Sequence, residues 1–118
     1  MDRIIYMVVE PIEIIASDLA MNVQDYDPLA TVLTALTHEA ACVLLEAYES
    51  VRLAFVHADP KGFAKTRLAQ ALDCRGAQVV FTGDAAERKD QGILVLQRPF
   101  SAQTTAALLH RTQTEESA

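Results

Sequence analysis

The chain has 118 residues, 51% of them hydrophobic, and a formal net charge of −6 at pH 7. That length and apolar content fit one folded domain and exclude a disordered chain, while the acidic balance disfavours nucleic acid as a direct partner. No run approaches the roughly 18 apolar residues of a membrane span, and no signal-peptide layout opens the chain, so a soluble, cytoplasmic protein is expected, away from membranes.

In chain order, strand and helix patterns alternate. Ile4 to Val9 is a continuous apolar run, as in a strand buried on both faces. Ile14 to about Val23 reads as a helix with Ile14, Ile15, Leu19 and Val23 near one face. Asp27-Pro28 marks a turn, and Leu29 to Leu36 reads as a short strand. Thr37 is placed to cap a helix running to about Glu49, buried through Ala40, Ala41, Leu44, Leu45 and Tyr48. Leu53 to Val56 is a third strand, broken by Asp59-Pro60. Lys61 to Leu72 reads as one helix with Phe63, Leu68 and Leu72 inward. Gln78 to Phe81 is a fourth strand, ended by Thr82-Gly83, and Asp84 to Lys89 holds about one helical turn. Ile93 to Leu96 is the fifth strand. Ser101 caps a closing helix to Arg111, leaving 112–118 as a polar, frayed tail on a core of about 3–111.

Strands alternating with helices imply an α/β fold, a flavodoxin-like three-layer sandwich. Its parallel five-stranded sheet has the order 2-1-3-4-5, with a crevice at the strands' carboxyl ends. Glu10-Pro11-Ile12-Glu13 follows the first strand instead of a glycine-rich phosphate loop, which argues against nucleotide or flavin. Cys42 and Cys74 form no Cys-x-x-Cys pair and read as buried free thiols.

Charge divides along the chain. Residues 1–59 carry Asp2, Glu10, Glu13, Asp18, Asp25, Asp27, Glu39, Glu46, Glu49 and Asp59 against only Arg3 and Arg52. The second half carries more Lys and Arg than acids. This pattern suits either a protein partner or two ordinary solvated faces.

Several motifs together resemble the receiver domain of two-component response regulators. Leu96-Gln97-Arg98-Pro99-Phe100 looks like the end of that family's fifth strand, with Arg98 in place of its lysine. Thr82-Gly83 after Val79-Val80-Phe81 looks like its switch Thr/Ser and the small residue after it. Val51 to Val56 looks like its third strand, which puts His57 at the phosphoacceptor aspartate's position. Glu10 falls at the first position of the acidic pair that holds Mg²⁺, and Pro11 at the second. Asp18-Leu19 supports that register. A second register, with Glu10-Pro11 as the family's Glu-Pro dipeptide, needs two extra residues before Asp18. Val95 stands where the family carries its switching aromatic.

The resemblance implies a degenerate phosphoacceptor pocket made of Glu10, Pro11, His57, Asp59, Thr82 and Arg98, with Mg²⁺ binding lost or weak and no cofactor. His57 is expected to fill the vacated pocket and bond to Glu10 or Thr82, and Asp59 is expected to shape a turn before Pro60. Arg98 is not equivalent to lysine at a tight phosphate site, and pairing with Glu10 or Asp59 is one use for it. The implied role is a stand-alone, phosphorylation-independent interaction module, not an enzyme. Its partners would be a histidine kinase, a phosphotransferase or another regulator. The surfaces implied are the first helix (Ile14 to Val23) with the crevice rim, and the region from Asp84 to Arg111, where a homodimer is plausible. Two rivals stay open. One is an active regulator phosphorylated at Asp59 or His57. The other is a small metal- or ligand-binding protein built on Glu10, His57 and Asp59.

Overall fold

In a computed structural model, residues 3–82, 95–96 and 101–117 are described. Strand β1 (Ile5–Val9) is buried at all five positions, as a central strand covered on both faces must be. It pairs in parallel with β2 (Thr31–Ala35) on one side and β3 (Leu53–His57) on the other. Strand β4 (Gln78–Thr82) pairs with β3, so these four strands take the order β2-β1-β3-β4. A two-residue strand β5 (Val95–Leu96) lies beside β4, with Val95 opposite Phe81 and Leu96 opposite Thr82. Of the strand expected over Ile93 to Leu96, residues 93 and 94 lie outside the described residues.

Alternation along the strands divides the core in two. Tyr6, Val8, Leu53, Phe55 and Val80 pack toward helices α1 (Glu13–Tyr26) and α5 (Ala102–Ser117). Ile5, Met7, Val9, Ala54, Val56 and Phe81 pack toward α2 (His38–Leu45), α3 (Pro60–Phe63) and α4 (Arg67–Cys74). One helical layer therefore covers each face of the sheet.

Helix α1 buries Ala16, Leu19 and Val23, spaced three and four residues apart. Ile14, expected inward, is 71% exposed because the buried stripe runs through Ala16 instead. Gln24 Nε2 ties down the next turn, donating to the Ala30 carbonyl at 2.9 Å. The turn at Asp27-Pro28 closes with a bond from Ala30 N to the Asp27 carbonyl. The strand after it is shorter than expected, and Leu29 and Leu36 lie exposed outside it.

Thr37 caps α2 as anticipated, its Oγ1 accepting from Ala40 N at 3.0 Å. The helix stops at Leu45, short of Glu49, because the chain tightens into three-residue turns from Val43 to Tyr48. Ala40 is exposed there, while Ala41 and Leu45 are buried.

The helix expected over Lys61 to Leu72 is two helices. On one continuous helix, Phe63 and Leu68 would point about 140° apart at 100° per residue. A break after Phe63 lets both, and Leu72, reach the core. Thr66 makes the break, donating to the Phe63 carbonyl and accepting from Ala69 N. Two residues past the end of α4, Gly76 closes the turn with a φ of 72°. Gly76 N donates to Asp73 O and Ala77 N to Leu72 O, the two bonds of a Schellman ending. Cys74, expected to be buried, is exposed on the last turn of α4, and Cys42 is half-buried.

Helix α5 opens on a reciprocal cap between Ser101 and Thr104. It continues past Arg111 to Ser117, with Thr105, Leu108, Leu109 and Thr112 buried along one stripe.

Candidate functional site

The carboxyl ends of β1, β3 and β4 bring Glu10, His57 and Thr82 together. Glu10 is the first residue beyond β1, and its N–H extends the ladder to the Ala35 carbonyl at 3.0 Å. Its side chain is almost completely buried. Oε2 turns back to accept from Ile12 N at 2.9 Å, and this bond shapes the entry to α1. A buried carboxylate is stable only when donors or an opposite charge compensate it.

His57 stands beside Glu10 at the end of β3. Its Nδ1 lies 3.6 Å from Glu10 Oε1, within ion-pair range but too long for a hydrogen bond. The His57 side chain is 39% exposed, whereas that of Glu10 is buried. The hydrogen bond expected from His57 to Glu10 is not made by this Nδ1–Oε1 contact.

Thr82 stands directly opposite His57 across β3 and β4. It is buried, and its Oγ1 has no hydrogen-bond partner among the described residues. Such a hydroxyl carries a desolvation cost of about 1–3 kcal/mol. Asp59 takes no part in this cluster in the contacts described. It is exposed and caps α3, its Oδ1 accepting from Lys61 N at 3.0 Å with Pro60 at the first helical position. Pro11 is exposed beside Glu10 and offers no oxygen ligand from its side chain. Arg98 lies outside the described residues, as do Gly83 and the expected helical turn from Asp84 to Lys89.

The arrangement therefore has one buried carboxylate, one half-exposed imidazole and one buried hydroxyl. A hard divalent cation takes six or more oxygen ligands, with several from carboxylates. Among the described residues no cluster of three or more His, Cys, Asp or Glu side chains is placed to hold a metal ion.

Residues outside the crevice escaped the sequence reading. Arg75, just after α4, donates from Nε to the carbonyls of Leu45 and Tyr48 at 3.0 and 2.9 Å. Its Nη1 reaches the Ala71 carbonyl at 2.8 Å. It thus adds a charged donor to carbonyls at and just beyond the end of α2 from 27 to 30 residues away, a pairing with no local signal in the chain.

Comparison with solved structures decides the fold. The chain superposes on SdrG from Sphingomonas melonis Fr1 at a TM-score of 0.69 and 24% identity, covering 96% of this chain and 99% of that one. For the receiver domain of the hybrid histidine kinase CckA the values are 0.69 and 19%, covering 92% and 97%. A response regulator receiver domain from Clostridium thermocellum gives 0.71 at 11% identity, covering 97% of both chains. The fold is that of a receiver domain. No protein-family model matches the sequence, and no curated protein does.

Proposed function

We propose that the chain is a receiver-fold interaction module of two-component signalling that works without phosphorylation. The observation that carries this reading is His57 at the end of β3, where a receiver presents its acceptor aspartate, set against the buried Glu10. Phosphoryl transfer to a receiver depends on a carboxylate nucleophile and on Mg²⁺ to spread the developing charge. Here the acceptor position holds an imidazole, and the second acid's position holds Pro11. The buried Glu10 carboxylate accepts from Ile12 N and stands 3.6 Å from His57.

On this reading the site is locked by its own side chains, and binding to a partner alone selects its conformation. The partners are a histidine kinase, a phosphotransferase or another regulator, met in the cytoplasm. Their docking surface includes α1, whose Ile14 and Met21 project from the same face, one seven residues after the other. No catalysis and no resident metal are part of the proposal.

The test is a two-dimensional amide spectrum recorded with and without Mg²⁺ plus beryllofluoride, a mimic of the acyl phosphate. Amides around Glu10, His57 and Thr82 should not shift. Shifts there, together with labelling by a small phosphodonor that Asp59→Asn abolishes, would establish an active regulator and end this reading. Stoichiometric Zn²⁺ or Mn²⁺ in protein purified without affinity tags would end it in favour of a metal-binding protein.

A further inference from the structure

Far from the crevice, α2 and α4 leave between them an open groove of about 660 Å³. Its two walls carry the same pattern with opposite charge. The α2 wall presents Glu39, then Val43, then Glu46. The α4 wall presents Arg67, then Ala71, then Arg75. The acids are about 10.5 Å apart along the axis and the arginines about 12 Å, from a rise of 1.5 Å per residue.

The two helices run parallel, since each is a crossover between parallel strands on the same face. Their ends are level. Arg75 bonds the carbonyls at the end of α2, and His38 and Thr66 line the groove at the helices' beginnings. Glu39, Val43, Glu46 and Arg67 are exposed, and Val43 is 66% so. No ion pair joins the two walls among the described residues.

We propose that this groove is a self-association surface, on which a second copy of the chain docks about a two-fold axis parallel to the helices. Rotation about that axis keeps the helix direction and lays each α2 over the partner's α4. Glu39 then meets the partner's Arg67 and Val43 meets the partner's Ala71, while Glu46 faces the partner's half-buried Arg75, whose Nε and Nη1 stay bonded to its own carbonyls. The symmetry repeats every pairing, as an isologous interface requires. A two-fold axis across the helices would set α2 on α2 and bring Glu39 to the partner's Glu46, a repulsive pairing. Charge thus selects both the occupant and the operator. A second copy carries the complementary pattern at nearly the same spacing.

Helices this short make a small contact, so the dimer is weak, with a dissociation constant on the order of 100 µM. Sedimentation equilibrium of the full chain from about 10 µM to about 1 mM reads that range directly. Glu39→Arg and Arg67→Glu should each weaken the dimer about tenfold or more, because each reversal acts twice across the axis. The double variant E39R/R67E should return to within about threefold of the original, since complementarity is restored. Val43→Glu should abolish the dimer, with circular dichroism unchanged for all four variants because the side chains are exposed. A chain that stays monomeric throughout would overturn the proposal, whatever other macromolecule the groove then took. So would a dimer indifferent to both reversals, which belongs to another face, or a double variant no tighter than the single ones.

Discussion

On one face of the sheet lie α1 and α5, of 14 and 16 residues; on the other, α2, α3 and α4 run for 8, 4 and 8. The long pair is held by packing. Helix α1 has no side-chain cap at its start, and its buried stripe meets that of α5 through Leu19, Val23, Leu108 and Leu109. The short helices would be marginal alone, because helix nucleation is costly and few residues repay it. Each is punctuated by a hydrogen bond at its boundary: Thr37 for α2, Asp59 for α3, Thr66 for α4, with Arg75 and Gly76 at the far ends. The long pair thus rests mainly on its buried stripes, with a cap at Ser101 and Thr104 opening α5, and the short helices rest more on single residues at their boundaries.

The contrast predicts different responses to mutation. Phe55→Ala removes a fully buried ring from the α1/α5 side and should cost about 3–5 kcal/mol, read from the denaturation midpoint. The loss should be global, with every helix losing protection together. Arg75→Ala should cost about 2 kcal/mol, because carbonyls of Leu45, Tyr48 and Ala71 lose a charged donor. Hydrogen exchange should localise that loss to α2 and α4, leaving α1 protected. Equal loss of protection in α1 would break the contrast.

The same division explains what the sequence revealed. The buried runs Ile5–Val9 and Leu53–Val56 are legible because a two-faced strand is continuously apolar. Thr37 and Ser101 are legible as caps because their signals are local. The break at Thr66 was missed, although the five-residue spacing of Phe63 and Leu68 already contradicts a single helix. The inward place of Ile14 was misjudged because Ala16, a small residue, carries the buried stripe. At the site, the meeting of Glu10, His57 and Thr82 follows from strand order and the resemblance to receivers. The return of Glu10 Oε2 to Ile12 N depends on backbone geometry that no residue pattern announces. Arg75 combines both difficulties, being long-range and directed at backbone.

Smaller effects sharpen the contrast further. Thr37→Ala and Thr66→Ala should each cost about 1 kcal/mol, the usual worth of an N-cap. Gly76→Ala should cost about 1 kcal/mol through its left-handed backbone, since nothing crowds the space a methyl group would enter. The three should add within about 0.5 kcal/mol only where their sites share no partners. Thr66 and Gly76 bound the same short helix, so that pair should depart from additivity, and Thr37 with Gly76 should depart less.

The smallest expected effect lies at the crevice. His57→Ala removes the imidazole that stands 3.6 Å from Glu10, and a fully buried charged partner lost from a buried carboxylate would cost several kcal/mol. Two observations reduce that figure here. His57 is 39% exposed, so water replaces it readily, and its Nδ1 stands 3.6 Å away, beyond hydrogen-bond range. Glu10 also keeps its bond from Ile12 N. The loss should therefore stay below about 1 kcal/mol, as for exposed pairs. A loss above about 2 kcal/mol would mean that the imidazole is the principal support of the buried carboxylate. In that case His57 would belong with Thr37, Thr66 and Arg75 among the single residues that hold this fold, and its place at the end of β3 would be structural before it is functional.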